Sequence, residues 1–277
     1  MKKKSIILFL LSVGIFLSYV SFFPKIEFLK YHLLILILIG IVSSFVGTLA
    51  GGGGLITLPA MMFVGIPIQT SIATNKFSSG IAAFSSVFYL VFNKHLSAID
   101  IMKNLFVACI GGTAGALFTA NISEQNMNII AFIFLFIALV VTVKNKKWLE
   151  TLQTKEKVPS NKIWQLLLPF FIACYDGGFG PGSSTFGILY YIKKHHTYIK
   201  AVQLTRVLIF GSCTGGFIIY YQTGFLQWPY AIAMAFGSII GSQIGLIVLP
   251  KLSLKIAKTL LITILCLLIG QMILKII

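Results

Sequence analysis

The sequence predicts an all-α integral membrane protein made of two halves in inverted orientation, and three observations lead to this fold class. First, 57% of the 277 residues are hydrophobic and only 10% are charged, whereas a soluble domain of this size carries a more polar surface. Second, apolar runs of about 20 residues, the length that crosses a bilayer core, recur along the chain. Third, glycine clusters at residues 51–54 and 177–182 interrupt apolar sequence at corresponding places.

The apolar runs predict seven full spans and two re-entrant hairpins. The first run, residues 6–23, follows three lysines, but it is longer than the apolar region of a signal peptide, about 7–15 residues, and no small-residue cleavage site follows it. We therefore predict a retained N-terminal transmembrane helix within residues 1–30. The run at 33–50 is assigned to the first hairpin, although it is long enough to cross by itself. The other runs are 71–92, 102–120, 127–143, 199–222, 229–249 and 254–276, with two stretches too short to cross alone, 163–173 and 183–192.

The second glycine cluster begins a copy of the first half that is weak in identity but clear in order. Placing Gly54 on Gly182 also places Asn75 on Gln203. Each half is thus predicted as a glycine-broken re-entrant helix pair followed by three transmembrane helices. After a drift of two residues the later glycines coincide, Gly111 with Gly241 and Gly115 with Gly245.

The lysines predict the orientation of the two halves. We place repeat 1 at residues 31–143, a basic linker at 144–162 and repeat 2 at 163–277. The linker carries six Lys and two Glu, so the positive-inside rule places it in the cytoplasm, together with the N-terminus. If each hairpin enters and leaves the membrane on the same side, the other basic loops are cytoplasmic as well. Lys25 and Lys30 are the exceptions. The odd number of crossings then inverts the second half, as in many secondary transporters.

The glycine clusters are predicted to form a binding site. Each glycine in a helix costs about 1 kcal/mol relative to Ala, and non-helical backbone at membrane depth persists only where protein or a water-filled cavity satisfies its polar groups. A short helix restarts after each break, at Leu55 and at Ser183, and the start of a helix offers unpaired N–H groups that suit an anion. The alternative is that the glycines only allow helices to pack closely.

Each helix after a break carries a cation in apolar sequence, Lys76 in the first half and Arg206 in the second. Charges inside a membrane are costly and rarely without function, although Lys76 could also extend to the surface. Asp176 is the one carboxylate beside a break. It could accept a proton, pair with either cation or cap the following turn, and a structural or pairing role is favoured. The first of these helices also carries a stripe at helical spacing: Asn75, Ser78, Ser79, Ala82, Ser86 and Tyr89.

The predicted substrate-binding set combines the two breaks with the polar residues near the two cations. The small-residue series at 111–119 and 237–245 are predicted instead as close-packing faces between helices. The substrate-binding set comprises Gly52, Gly53, Gly54, Thr57, Thr74, Asn75, Lys76, Ser78, Asp176, Gly180, Pro181, Gly182, Ser183, Ser184, Thr185, Gln203 and Arg206.

Other classes of function have little support in the sequence. The net charge of +16 comes from lysines in short loops, where they orient a membrane protein, and not from one basic face of the kind that binds nucleic acid. The four cysteines lie in or beside apolar segments without a paired spacing, which favours buried small side chains over a metal site or a disulfide. No nucleotide-binding, hydrolase or metalloprotease motif occurs, so neither a cofactor nor enzymatic activity is expected.

At the residues already described, the chain resembles the sulfite exporter TauE/SafE family of membrane transporters. The motifs that carry the resemblance are AGGGGLITLP at 50–59, ATNK at 73–76 and YDGGFGPG at 175–182, and the resemblance runs from about residue 33 to the C-terminus. It implies two four-element repeats, no ATPase, and transport of small sulfur-containing anions such as sulfite or organosulfonates. The chain departs from the family pattern in its extra span at 6–23 and in Ser183-Ser184, where Thr-Gly is common, which puts the substrate preference in question.

We therefore predict a secondary transporter, an exporter of a small anion, in the inner (cytoplasmic) membrane of a bacterium. Its expected partners are the anion and the lipid bilayer but no nucleic acid, and a coupling proton or sodium ion and a homodimeric assembly are left open. The alternatives are a passive anion channel and a membrane scaffold subunit that transports nothing.

Overall fold

A computed structural model of the chain describes residues 27–51, 53–93, 98–123, 164–194 and 196–249, together with the single positions 126, 129, 133 and 259. The elements in these ranges are α-helices, which confirms the all-α prediction. Four predicted features lie outside the described residues: the N-terminal span at 6–23, the linker at 144–162, and the spans at 127–143 and 254–276.

The described ranges form eight helices: α1 (Glu27–Ala50), α2 (Gly53–Phe63), α3 (Ile68–Phe92), α4 (Ala98–Thr119), α5 (Trp164–Gly178), α6 (Ser183–Lys193), α7 (Tyr198–Gln222) and α8 (Trp228–Val248). By length and composition, α1, α4, α7 and α8 could each cross a membrane. α3 is as long as α7, with 25 residues in each, and it also buries hydroxyl, amide and amine side chains. The described chain is therefore a helical membrane bundle.

The two glycine breaks differ in the helices that precede them. α6 has 11 residues, too few to cross a bilayer core of about 30 Å at about 1.5 Å per residue, and the described part of α5 has 15. α1 has 24 residues and is long enough to cross by itself. By length, a short re-entrant arm fits α6 but does not fit α1.

Three of the four pairs of corresponding helices have similar lengths over the described residues, and α1 and α5 are the exception. α2 and α6 have 11 residues each, α3 and α7 have 25 each, and α4 and α8 have 22 and 21. The first break consists of residues 51–52 and the second of residues 179–182, so the second is longer by two residues. The helix starts, Gly53 with Ser183 and Ile68 with Tyr198, favour a register shifted by two residues from the alignment of Gly54 with Gly182 and of Asn75 with Gln203. In this shifted register, Lys76 and Arg206 are each the ninth residue of their helix.

Helices of the two halves exchange partners. α1 packs along α8, and α5 packs along α4. α3 and α7 contact each other, and in addition α3 contacts α8 and α7 contacts α4. Glycine permits these close approaches. A Cβ on Gly115 would overlap the carbonyl oxygen of Cys174 in α5, and a Cβ on Gly241 would overlap that of Ile41 in α1. The predicted close-packing faces are confirmed at both glycines, and the exchange joins the two halves into one bundle.

Candidate functional site

The two glycine breaks contact each other through their backbones. Gly51, which follows α1, has a φ of 80°, and a Cβ on it would lie only 2.6 Å from the backbone nitrogen of Thr185. Gly180 and Gly182 also have positive φ, 103° and 81°, a conformation that glycine adopts without strain. Because this junction is built from glycine, the first turns of α2 and α6 come close together.

The helices after the breaks begin near the predicted positions. α6 begins at Ser183, as predicted. α2 begins at Gly53 rather than Leu55, so two of the four consecutive glycines are helical. A Cβ on Gly53 would lie 3.0 Å from the Ser43 carbonyl oxygen and 3.2 Å from Gly47 Cα, so α2 folds back tightly against α1. Glycine at position 53 thus serves close packing, which was the alternative interpretation of this cluster.

A polar cavity of about 30 Å³ lies where the breaks meet. It has room for about two water molecules, since one needs roughly 10–15 Å³ on this measure. The first two residues of α2 and of α6 line it, so the positive ends of two helix dipoles lie beside it. The remaining lining residues come from α1, α2, α3, α5, the second break and α7: Ser43, Ser44, Gly47, Thr57, Asn75, Ser79, Asp176, Gly180, Arg206, Ile209 and Cys213.

Arg206 is the cation in the cavity wall, and its side chain is only 6% exposed. Its Nε donates to Ser86 Oγ at 3.3 Å, and its Nη2 donates to Ser242 Oγ at 2.8 Å. The two serine oxygens are 2.6 Å apart, and the Thr48 hydroxyl of α1 donates to Ser242 Oγ at 3.3 Å. Both bonded partners are neutral hydroxyls, so the part of the chain that the structure describes offers the guanidinium no bonded carboxylate.

Lys76 is completely buried, which excludes its extension to the membrane surface. Its Nζ donates to the backbone carbonyl of Asp176, near the end of α5, and a Cβ on Gly180 would lie 2.7 Å from that Nζ. A cation at the C-terminal end of a helix is favoured by the helix dipole. Lys76 therefore lies behind the second break and outside the cavity wall, in contrast to Arg206.

The Asp176 carboxylate lies beside the start of α6 and accepts three hydrogen bonds. Ser183 donates to Oδ1, Ser212 donates to Oδ2, and Cys213 Sγ donates to Oδ2 at 3.5 Å. The favoured pairing of this carboxylate with a cation is not formed, because both cations bond elsewhere. Hydroxyl and thiol donors stabilise a carboxylate in its ionised form. The cavity wall thus holds one cation and one carboxylate that are not bonded to each other.

The structure divides the predicted substrate-binding residues into two groups. Nine line the cavity: Gly53, Gly54, Thr57, Asn75, Asp176, Gly180, Ser183, Ser184 and Arg206. Seven lie outside its wall: Thr74, Lys76, Ser78, Pro181, Gly182, Thr185 and Gln203. Gly52 is outside the described residues.

Several residues at the cavity were missed by the sequence analysis. Ser43 and Ser44 are adjacent hydroxyl residues in an apolar run, and this pattern could have predicted that they belong to a polar site. Cys213, interpreted as a small hydrophobic side chain, instead directs its thiol to the carboxylate. Ser86 belongs to the predicted stripe on α3 but was not assigned to the site, and Ser242 had no signal of its own, since single serines are common in membrane helices.

The chain matches the family model described as sulfite exporter TauE/SafE over residues 36–272. It is 29% identical over 220 residues to a probable membrane transporter protein of Sinorhizobium sp, covering 78% of this chain and 83% of the relative. It is 30% identical over 215 residues to a probable membrane transporter protein of Haemophilus influenzae, with 77% and 83% covered. It is 26% identical over 214 residues to the probable membrane transporter protein YfcA of Escherichia coli K12, with 76% and 78% covered. No solved structure gives a significant match.

The family match extends over nearly the whole described bundle, both glycine breaks and the entire cavity wall. These relatives are bacterial membrane proteins of similar length, and four described helices are long and apolar enough to span a membrane. The chain is therefore a multi-pass membrane protein that belongs to the sulfite exporter TauE/SafE family, a family of membrane transporters and not of enzymes.

Proposed function

We propose that this protein is a secondary transporter that exports a small sulfur-containing anion, such as sulfite or an organosulfonate, and that the anion binds in the cavity between the two breaks. One observation carries the proposal. Arg206 is a buried cation in the cavity wall, and its bonded partners among the described residues are two neutral hydroxyls. This site supports a negatively charged solute, and the family supports the sulfur chemistry.

The charge of Arg206 favours an anionic solute. A buried charge is costly unless a group of opposite sign compensates it. Asp176 lies in the same wall, but its two oxygens accept hydrogen bonds from Ser183 and Ser212. An anion in the cavity would supply the missing partner, and the first N–H groups of α2 would add donors at a positive dipole end. A neutral or cationic solute would leave the guanidinium without a bonded partner of opposite charge.

Asn75 and Ser184 are the side chains that we propose as further ligands. Ser79 donates to Asn75 Oδ1 at 2.9 Å, which leaves the amide NH₂ of Asn75 as a donor in the cavity wall. Ser184 adds a hydroxyl at the start of α6. A sulfite ion or a sulfonate group has three oxygens that accept hydrogen bonds, so it can use the guanidinium, the amide and the hydroxyl together.

We further propose the inverted-repeat arrangement in the bacterial inner membrane, with repeat 1 at residues 31–143 and repeat 2 at 163–277. The linker at 144–162 and the N-terminus, with its helix within residues 1–30, are placed on the cytoplasmic side. The matching helix lengths and the exchange of packing partners between the halves support this arrangement. In inverted-repeat carriers the halves move against each other around a central site.

The size of the cavity favours a carrier over a passive channel. A volume of about 30 Å³ accommodates about two waters and is not a continuous water-filled path. We propose that the surrounding helices separate to admit the anion. Such a separation is a step of alternating access, whereas a channel needs a continuous water-filled path.

Ligand-dependent stability of the purified protein tests this function. Thermal unfolding in detergent is measured with sulfite, sulfate, thiosulfate, methanesulfonate and acetate, because a ligand at 100 times its Kd stabilises a protein by about 2.7 kcal/mol. We expect stabilisation by a sulfur oxyanion in the wild type and its loss in Arg206→Gln. Lys200→Gln is the matched control, because it removes one positive charge from the same helix outside the cavity wall.

Two results would count against the proposal. Stabilisation that persists unchanged in Arg206→Gln would contradict the site, and no stabilisation by any of these anions would contradict an anion transporter. Anion flux into proteoliposomes separates the mechanisms, since flux through a carrier saturates at low turnover whereas a channel gives single-channel currents.

A further inference from the structure

Asp176 places a negative charge in a cavity that we propose to receive an anion. Its side chain is 4% exposed and lines the same wall as Arg206. Because the cavity is only about 30 Å³, any anion within it must come close to this carboxylate. Two negative charges that share a site with little water favour protonation of one of them.

The architecture of the break does not require a carboxylate at this position. Thr48 is the third residue from the end of α1, as Asp176 is the third residue from the end of α5. The first break therefore forms with a neutral side chain at the corresponding position. Among the residues that line the cavity, none at the start of α2 is acidic. At the start of α6, by contrast, Ser183 is bonded to the Asp176 carboxylate. The charge thus distinguishes the second break from the first.

The surroundings of the carboxylate supply several hydrogen-bond donors to its oxygens. Three donors point at its oxygens, and two cations lie nearby without bonding to them. Among the described residues, the titratable and charged groups that interact with Asp176 come from three helices. Lys76 on α3 is bonded to the Asp176 carbonyl, and Tyr175 on α5 donates its hydroxyl to the Pro181 carbonyl at 2.6 Å. Arg206 and Cys213 lie on α7. α6 presents the Ser183 hydroxyl, and α4 meets α5 here through the Gly112 backbone.

We propose that Asp176 takes up a proton when the anion binds, so that the protein moves the anion and a proton together. This proposal rests on the proposed function. The proton comes from water on the side where the anion enters and forms an O–H bond with one carboxylate oxygen. It returns to water on the opposite side when the anion leaves, and no electron is transferred. In the protonated form the carboxyl O–H donates to an anion oxygen, which replaces a repulsion by a hydrogen bond.

The pH dependence of anion affinity tests the proposal. The probe is methanesulfonate or sulfate, whichever stabilises the wild type, because neither changes its charge over about pH 5–8, the range in which a side chain can act as a physiological switch. One linked proton makes the affinity of the wild type fall about tenfold per pH unit above the titration of the carboxylate. In Asp176→Asn we expect an affinity that is independent of pH over the same range.

Ser212→Ala is the matched variant, because it keeps the carboxylate and removes one of its donors. Since that donor favours the ionised form, its removal moves the fall in affinity to higher pH without abolishing it. A residue with a merely structural role would give no such displacement. A second readout is flux of methanesulfonate, which moves no net charge when one proton accompanies it and is then unchanged by an imposed membrane potential.

Calorimetry on the wild type keeps the test decisive if Asp176→Asn does not fold. Binding heats in two buffers of different ionisation enthalpy give the number of protons taken up per anion, and we expect about one. An uptake of zero, or an affinity for the probe that is the same at every pH, overturns proton coupling and leaves the anion site standing. Absence of binding of any sulfur oxyanion at any pH overturns the proposed function together with this inference.

Discussion

Gly115→Ala tests whether the contact between α4 and α5 depends on the absence of a side chain. A Cβ on Gly115 would overlap the carbonyl oxygen of Cys174, and it would lie 2.6 Å from the Cys174 carbonyl carbon and 3.0 Å from the Gly178 nitrogen. These are helix backbone atoms that cannot rotate away. α4 and α5 must therefore separate by roughly 1.5 Å or more to reach ordinary van der Waals distances. Because Gly178 is the last residue of α5, the strain also reaches the second break.

The expected change in stability combines two opposing effects. Alanine favours the helix by about 1 kcal/mol over glycine, whereas overpacking a close contact costs about 1–3 kcal/mol. Because backbone lies on both sides of this contact, the upper end of that range applies, and we expect a net loss of about 2 kcal/mol. Gly80→Ala is the matched control. Its Cβ would meet Cys213 Cβ at 3.4 Å, an ordinary contact, so only the helix effect remains and the variant gains about 1 kcal/mol.

Thermal unfolding in detergent measures both variants. For a chain of this size, about 1 kcal/mol corresponds to about 2–4 °C in Tm. We therefore expect Gly115→Ala to unfold about 4–8 °C below the wild type and Gly80→Ala about 2–4 °C above it. The reasoning is refuted if Gly115→Ala unfolds at or above the wild-type temperature, or if both variants move in the same direction by similar amounts.

Two further predictions concern buried polar side chains of α3. The Thr74 hydroxyl has no hydrogen-bond partner among the described residues, so we expect Thr74→Val to raise the free energy of unfolding by about 1–2 kcal/mol; a loss of anion binding instead would assign this hydroxyl to the ligand. Lys76→Met removes a charged hydrogen bond to the Asp176 carbonyl, and we expect it to lower the free energy of unfolding by about 1.5–3 kcal/mol in anion-free buffer. Arg206→Gln removes a buried charge with neutral described partners and is expected to cause no such loss; equal losses by chemical unfolding would contradict this difference between the two cations.

The candidate site was predictable where a residue is unusual for its surroundings. Charges and consecutive glycines are rare in apolar sequence because both are costly in a membrane helix. That scarcity identified Arg206, Asp176 and Ser183, which line the cavity, and also Lys76, which does not. Ser242 is an ordinary residue in its own helix, and it becomes part of the site only because α8 packs beside α3 and brings it to Ser86, 2.6 Å away.

The roles of the two cations could not be predicted from their equivalent positions. Lys76 and Arg206 are each the ninth residue of helices that are equally long. Their partners, however, come from different elements: the end of α5 for Lys76, and a serine pair on α3 and α8 for Arg206. Lys76 bonds a backbone carbonyl of α5 directly, whereas Arg206 reaches Thr48 of α1 only through Ser242.

Composition and local pattern by themselves determined that this protein is an all-helical membrane protein, where its helices lie, and that glycine interrupts two of them. These properties depend on the free energy of placing each residue in a bilayer or in a helix, which is a local quantity. Only the tertiary structure decided the register between the halves, because the two extra residues lie within a glycine-rich break where either alignment matches. It also decided which cation faces the cavity, since that depends on helix packing between residues far apart in the chain, as in the bond between Lys76 and Asp176.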